Sequence, residues 1–83
     1  MTLADKIREF VKKNYIDIAR INGQKTVTFS ASDIHKAMGL EKRFPAVCGA
    51  IDTEKFLDDA SVVLSKRNGP PQSSSVVWTF DLM

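Results

Sequence analysis

The chain has 83 residues, of which 43% are hydrophobic and 27% are charged, and its 12 basic and 10 acidic side chains give a formal net charge of +2. This length supports a single domain, 1–83, with one small core, and the composition is too apolar for a disordered protein. One cysteine and one histidine exclude an internal disulfide and leave too few ligands for a zinc cluster.

The same composition restricts the cellular setting and the chemistry. No apolar run approaches the roughly 18 residues that a membrane span needs, and we expect no signal peptide. The lone cysteine is typical of a reducing compartment, so we expect a cytoplasmic protein. Cys48 falls on an apolar stripe and His35 has no orienting carboxylate except Asp33, which a helix cap uses. We therefore expect no enzyme activity, no cofactor and no metal site.

The charge is unevenly distributed along the chain. Residues 1–43 hold nine basic and five acidic side chains, a net of +4, whereas residues 44–83 hold three and five, a net of −2. A concentrated basic field indicates a polyanionic partner. An asymmetry this mild is more often an ordinary solvated surface, so charge alone does not identify the partner.

The first predicted element is a helix over residues 1–22, which Thr2 can cap and Gly23 can end. Seven apolar side chains fall within about 140° of its circumference. Ile16 points nearly opposite this stripe. Either the helix bends after Asn14, or Ile16 belongs to a second surface, where it is the candidate dimer contact; a lone exposed isoleucine is the simpler alternative. The stripe consists of Leu3, Ile7, Phe10, Val11, Tyr15, Ile18 and Ile21.

A strand is predicted next, over residues 26–29, because valine and phenylalanine alternate there with threonines. Ser30 and Asp33 then form a capping-box pattern, in which each side chain satisfies the backbone N–H of the other residue. The short helix that follows ends at Gly39. Its predicted inner face carries Ile34, Ala37 and Met38.

A second short helix follows the glycine turn. Pro45 is tolerated only in the first turn of a helix, so this helix begins near Arg43. Thr53 can cap a further turn that carries Phe56 and Leu57. The spacing i, i+3, i+4, i+7 predicts an inner face of Phe44, Val47, Cys48 and Ile51. The outer face then consists of Lys42, Arg43, Ala46, Gly49, Ala50 and Thr53.

The remainder predicts a hairpin over residues 61–82. Val62 and Leu64 point inward from its first arm, and a long loop over residues 66–75 separates the arms. Asp58 and Asp59, which precede the hairpin, are expected in a solvated turn. The inward side chains of the second arm are Val76, Trp78, Phe80 and Leu82.

This order of elements resembles the winged helix-turn-helix family of DNA-binding domains and, more loosely, its small archaeal and viral regulators. The resemblance covers nearly the whole chain and rests on element order and spacing. It implies an α+β fold of order α-β-α-α-β-β, in which the strand at 26–29 pairs with the hairpin. Residues 30–53 would form the helix-turn-helix, and residues 61–82 would form the wing.

Within that scheme, residues 32–40 look like the first helix and its turn, residues 44–52 look like the recognition helix, and residues 66–75 look like the wing loop. The chain departs from simpler helix-turn-helix proteins at Pro45, where those proteins have an aliphatic residue. A longer turn, common in winged variants, accommodates the proline. The register of the recognition helix is therefore left open.

The outer face of the second helix suits DNA, because small side chains let a helix axis approach the major groove. Gly49 costs about 1 kcal/mol of helix propensity relative to alanine, which close approach of a ligand would offset. Close packing against another protein element explains the same small residues. The expected nucleic-acid-binding residues are Lys36, Lys42, Arg43, Ala46, Gly49, Ala50, Thr53, Lys66, Arg67, Gln72 and Ser73.

We expect phosphate contacts from the five basic residues of this set and little sequence discrimination, because Arg43 and Thr53 alone are equipped to read bases. Asp52 and Glu54 would repel phosphate and are expected to point away. Five neutralised phosphates correspond to a slope of log affinity against log salt near about −4.5.

The sequence thus predicts a protein that binds double-stranded DNA as a transcriptional regulator or as the DNA-contacting module of a complex. The second helix would lie in the major groove and the wing on the backbone. One such module covers about half a DNA site, so a homodimer through the N-terminal helix is expected. The alternative is a winged-helix module that binds another protein. The target sequence and any preference for single strands stay open.

Overall fold

The computed structural model of the chain describes residues 2–70 and 74–82. A continuous N-terminal helix covers residues 3–21. It consists of α1 (Leu3–Val11), a π-helical turn (Lys12–Ile16) and α2 (Asp17–Ile21). The helix therefore extends as far as predicted, but it is not α-helical throughout.

The start of this helix is fixed as predicted. Thr2 Oγ1 accepts a hydrogen bond from the backbone N–H of Asp5 at 3.2 Å, and the Asp5 carboxylate accepts one from the N–H of Thr2 at 3.2 Å. This reciprocal pair satisfies two of the donors that a helix N-terminus leaves unpaired. The last helical residue, Ile21, lies just before the predicted stop at Gly23.

The π-helical turn changes which side of the helix is buried. The N–H of Asp17 donates to the carbonyl of Lys12, five residues back, so the turn holds one extra residue and the following residues are rotated by about 100°. Ile16 is consequently fully buried, whereas Ile18 and Ile21 are 48% and 83% exposed. Ile16 as a dimer contact was therefore a wrong prediction, as was the burial of Ile18 and Ile21.

The remaining elements follow the predicted order, with one addition. The turn expected after Thr53 is a seven-residue helix, and Thr53 Oγ1 accepts from the N–H of Phe56 at its start. No helix in the described ranges is long and apolar enough to cross a membrane. The elements are β1 (Thr26–Ser30), α3 (Ala31–Ala37), α4 (Phe44–Ile51), α5 (Glu54–Ala60), β2 (Val62–Asn68) and β3 (Val77–Leu82).

Helix α3 begins at the predicted capping box, since Ser30 Oγ accepts from the N–H of Asp33 at 3.0 Å and the Asp33 carboxylate accepts from the N–H of Ser30 at 3.2 Å. Ile34 is buried, as expected. Ala37, however, is exposed. The other buried residue of this helix is Ala31, one turn before Ile34. The helix is therefore rotated relative to the predicted inner face.

The three strands form one antiparallel sheet of order β1-β3-β2. The strand that precedes the helix pair thus pairs with the second arm of the hairpin, as expected. In this register Phe29 lies opposite Trp78, and Leu64 lies opposite Phe80. β3 is the central strand of the sheet, and the inward side chains of β3 form the part of the core that belongs to the sheet.

A β-bulge interrupts β2. Leu64 lies opposite Phe80, but the next paired residue, Lys66, lies opposite Thr79, so Ser65 is the extra residue. A bulge of this kind redirects the side chains that follow it. Beyond the bulge, Lys66 shares the outer face of the sheet with Thr79, and Arg67 turns to the face that carries the helices.

The core lies between the sheet and the helices. Trp78 is fully buried and Phe80 is 1% exposed, and the ring centroids of Phe29 lie 5.9 and 5.6 Å from theirs. The Phe56 ring of α5 packs edge-on against Phe80 at 5.3 Å. Leu64 lies on the same face but at the edge of the sheet, where it is 40% exposed. The predicted α+β class is confirmed.

Candidate nucleic-acid interface

The turn between α3 and α4 concentrates basic side chains. Lys36 near the end of α3 and Lys42 and Arg43 just before α4 are all exposed, and none forms an ion pair with another described residue. Glu41 in the same turn is also exposed and unpaired within the described part of the chain. The structure thus brings three of the five predicted phosphate ligands together beside the N-terminus of α4. We call Lys36, Lys42 and Arg43 the cationic turn.

His35 holds this turn in place. Its Nε2 atom accepts a hydrogen bond from the backbone N–H of Arg43 at 3.2 Å, and its ring stacks on Phe44 with centroids 4.1 Å apart. The carbonyl of His35 accepts from the N–H of Leu40 at 3.0 Å. Lys42 adopts a left-handed φ of 52°, which is uncommon for a residue with a side chain. These local bonds stabilise a backbone path that Lys42 alone would disfavour.

The small-residue face of α4 is divided between two roles. Ala50 is fully buried, its carbonyl accepts from the Arg8 guanidinium at 3.4 Å, and α4 packs against α1. Placing Ala50 on the DNA-facing side was therefore wrong, because close packing between these two helices needs a small side chain there. Ala46 is half-buried against the same core.

Gly49 occupies the other side. It is exposed, and a Cβ added to it would meet no described heavy atom within 4 Å apart from its chain neighbours and the backbone of its own helix. Pro45, one turn earlier, is the other exposed residue of α4. The outward side of α4 is therefore slim, and packing among the described residues does not require a glycine at position 49.

Thr53 is used for capping. Its hydroxyl accepts from the N–H of Phe56 at 3.2 Å and donates to the carbonyl of Ala50 at 3.1 Å, and the residue is half-buried. The hydroxyl therefore belongs to the junction of α4 and α5, which weakens the predicted role of Thr53 in reading bases.

Arg67 does not project toward a ligand. Its Nε and one terminal nitrogen donate to the two carboxylate oxygens of Asp52 at 3.0 and 2.9 Å, and the other terminal nitrogen donates to the carbonyl of Gly69. The hydrogen bonds to Asp52 raise the pKa of the Arg67 guanidinium above its ordinary value. This pairing weakens the predicted phosphate contact of Arg67, because the bulge turns its side chain toward the C-terminal end of α4.

Asp52 also accepts a hydrogen bond from the indole Nε1 of Trp78 at 2.8 Å. Its carboxylate therefore points toward the sheet, which agrees with the expectation that it turns away from phosphate. Sequence reasoning missed the pairing itself, because residues 52, 67 and 78 are distant in the chain. The sequence neighbours of Trp78, which are mostly apolar, give no local signal of it.

The described part of the wing contributes one free cation. Lys66 is exposed on the outer face of the sheet and has no ion pair with a described residue. Gly69 has a φ of 103°, and a Cβ on it would lie 2.8 Å from the carbonyl oxygen of Ser75, so the two ends of the loop approach closely there. The predicted contacts Gln72 and Ser73 lie outside the described residues.

No group of three metal-ligating side chains is present among the described residues, and Cys48 is 1% exposed within the core, where we predicted it. Asp58 and Asp59 are exposed on α5 rather than in a turn.

A comparison of the chain with protein-family models, with curated proteins and with solved structures found no significant match.

Proposed function

We propose that the chain is a winged-helix protein that binds double-stranded DNA, as a transcriptional regulator or as the DNA-contacting module of a complex. The cationic turn and the exposed side of α4 would approach the major groove, and the hairpin would lie along the backbone. The cationic turn carries this proposal: three exposed cations that form no ion pair with a described residue, beside a helix with a slim outer side.

The topology supports the proposal. A long helix, a strand, two short helices joined by a glycine turn and a hairpin follow one another, and β1 pairs with β3 at the centre of a sheet of order β1-β3-β2. This is the pairing that the resemblance to winged helices implies. Helix α5 is an addition to that scheme, and it lengthens the connection between α4 and the hairpin.

The distribution of charge also supports it. The carboxylate of Asp52, which is near α4, is engaged by Arg67 and Trp78. The exposed acidic residues that follow lie on α5, so the contact surface ends at the junction of α4 and α5. A backbone phosphate that approaches the N-terminus of α4 meets cations and peptide N–H groups rather than carboxylates, apart from Glu41.

Gly49 gives a separate line of support. A glycine inside a helix costs about 1 kcal/mol relative to alanine. Since nothing in the described chain occupies the space beside Gly49, close approach of a partner from outside offsets this cost in our proposal. DNA is such a partner because its groove admits a helix only at short range.

Because Asp52 engages Arg67, we expect four phosphate contacts instead of five. These are the three residues of the cationic turn and Lys66. The expected salt slope becomes about −3.6 instead of about −4.5. So few contacts favour a second copy on the DNA, and the candidate contact on the N-terminal helix is now the exposed pair Ile18 and Ile21.

An NMR titration tests the proposal directly. We would add a random-sequence DNA duplex to ¹⁵N-labelled protein at low salt and follow the backbone amide signals. We expect shifts over residues 36–53 and at Lys66, and unchanged signals near Lys25 at the far end of the sheet. Absence of shifts at low salt, or shifts spread evenly over all lysines, would refute the specific surface.

The alternative function is a module that binds another protein. The sequence predicts that such a module would dock through the small-residue face of α4. The burial of Ala50 against α1 removes most of that face. The exposed isoleucines Ile18 and Ile21 are the observation that now favours a protein contact. A flat response to DNA at low salt, together with self-association that Ile21→Glu abolishes, would favour this alternative.

A further inference from the structure

The hydrogen bond between His35 and Arg43 depends on the protonation of one ring nitrogen. Nε2 of His35 accepts from the backbone N–H of Arg43, and a ring nitrogen can accept only while it carries no proton. The neutral ring therefore has its proton on Nδ1. A second proton on Nε2 would place two N–H groups face to face and break the bond.

We infer that His35 makes the α3–α4 turn sensitive to protons: the neutral imidazole holds the turn closed, and the imidazolium releases the Arg43 N–H. Imidazole is the side chain that ordinarily changes its charge between about pH 5 and pH 8. This bond lies in the turn that carries Lys42 and Arg43, two of the three residues of the cationic turn. The inference concerns regulation of the proposed DNA site, and it rests on that proposal only for its biological consequence.

The surroundings of the ring decide what protonation does. The charged side chains on the adjoining segments are Asp33 and Lys36 on α3 and Glu41, Lys42 and Arg43 in the turn, all exposed; the titratable group on α4 is the buried Cys48. The Asp33 carboxylate accepts from the backbone N–H of Ser30 in the capping box. Arg43 contacts the imidazole through its backbone N–H, whereas no hydrogen bond joins the ring to the described side chains of Asp33, Lys36, Glu41 or Lys42. The imidazolium thus gains no carboxylate partner among them, and it loses the bond that fixes the turn.

The release has a structural consequence at Lys42. Its left-handed backbone is held between the Leu40 bond to the His35 carbonyl and the Arg43 bond to the His35 ring. A left-handed conformation of a residue with a side chain is intrinsically unfavourable. When the second bond is lost, Lys42 is free to leave this conformation, and the side chains of Lys42 and Arg43 lose their fixed relation to α4.

The test uses the full chain without DNA, so its result is independent of the proposed function. A pH titration by NMR follows the His35 ring nitrogens and the Arg43 amide together. We expect the Nδ1-protonated tautomer at high pH, and an Arg43 amide shift with the same midpoint as the ring. Once the ring is charged, the Arg43 amide should exchange about fivefold faster than the same amide in His35→Gln at the same pH.

Two variants at one position give the controls. His35→Gln keeps a side-chain acceptor that does not titrate, so its Arg43 amide should not respond in this pH range. His35→Phe keeps the stacking on Phe44 without an acceptor, so that amide should exchange fast at every pH. An Nε2-protonated tautomer, different midpoints for ring and amide, or an unchanged pH response in His35→Phe would each overturn the inference.

Discussion

The indole Nε1 of Trp78 donates a 2.8 Å hydrogen bond to Asp52, the C-cap residue of α4. The same carboxylate receives two hydrogen bonds from Arg67 of β2. One side chain thus connects the central strand, the edge strand and α4. This connection fixes the hairpin relative to α4, and it explains why the β-bulge at Ser65 matters: without the extra residue, Arg67 would point to the other face.

Replacing Asp52 should reveal how much each bond contributes. Asp52→Ala leaves the buried indole N–H without a partner, so we expect a loss of about 2 kcal/mol in the free energy of unfolding. Asp52→Asn keeps an acceptor for Trp78 but loses the ion pair, and it should cost about 1 kcal/mol. Urea unfolding followed by Trp78 fluorescence measures both. Asp58→Asn, an exposed control on α5, should change little; equal losses in all three variants would contradict the role of Asp52.

Gly49 and Gly69 should respond oppositely to alanine. Gly49→Ala removes a helix-interior glycine where there is room for a Cβ, so we expect a gain of about 1 kcal/mol in stability. Gly69→Ala should be destabilising, because its Cβ would collide with the backbone of Ser75 and its φ is positive. Thermal unfolding measures both changes.

The same helix position separates stability from binding. Gly49→Leu should fold, since the site is open, but the larger side chain would hold α4 away from the groove and weaken binding to a DNA duplex at least about tenfold. A stable Gly49→Leu variant with unchanged DNA affinity would show that this side of α4 does not contact DNA.

The π-helical turn predicts a clear difference between neighbouring isoleucines. Ile16→Ala removes a fully buried side chain and should cost about 3 kcal/mol. Ile18→Ala removes a half-exposed one and should cost less than about 1 kcal/mol. Denaturant unfolding of the two variants measures the difference. The reverse order would mean that the helix continues without the extra residue.

Acid should weaken the N-terminal helix through Asp5. Its carboxylate accepts a 2.8 Å hydrogen bond from Arg8 and another from the N–H of Thr2, and these bonds, with that from Arg8 first, lower the pKa of Asp5 below its ordinary value of 3.8. A group whose pKa is depressed in the folded state stabilises the fold above the ordinary value, and this stabilisation is lost as the pH falls below it.

Asp5→Asn should therefore be less stable than the native chain at neutral pH and approach it below about pH 4. Thermal unfolding at a series of pH values measures the difference, with Asp58→Asn as the control for an exposed carboxylate. A difference between Asp5→Asn and the native chain that does not change with pH would disprove the assignment.

Local patterns accounted for most of the secondary structure. The cap at Thr2, the capping box at Ser30, the proline in the first turn of α4 and the alternation in β3 each depend on residues close in sequence, and each was predicted correctly. The misfit of Ile16 also marked the π-helical turn, but helical periodicity assumes 3.6 residues per turn and therefore placed Ile18 and Ile21 on the wrong face.

The candidate site was less predictable because it depends on contacts between distant residues. Nothing near Ala50 in the sequence shows that α1 covers it, and nothing near Arg67 shows that a bulge turns it toward Asp52. The cationic turn was predictable because Lys36, Lys42 and Arg43 adjoin one local turn. Its stabilisation by His35 required the folded geometry.

The dependence of DNA affinity on salt tests the central claim most directly. Binding of a labelled random-sequence duplex, measured by anisotropy over a series of salt concentrations, should give a slope of log affinity against log salt near about −3.6. Lys42→Ala or Arg43→Ala should each make the slope shallower by about one, whereas Lys25→Ala, at the far end of the sheet, should leave it unchanged. A slope shallower than about −1.5, or one that responds equally to all three variants, would contradict DNA binding through the cationic turn.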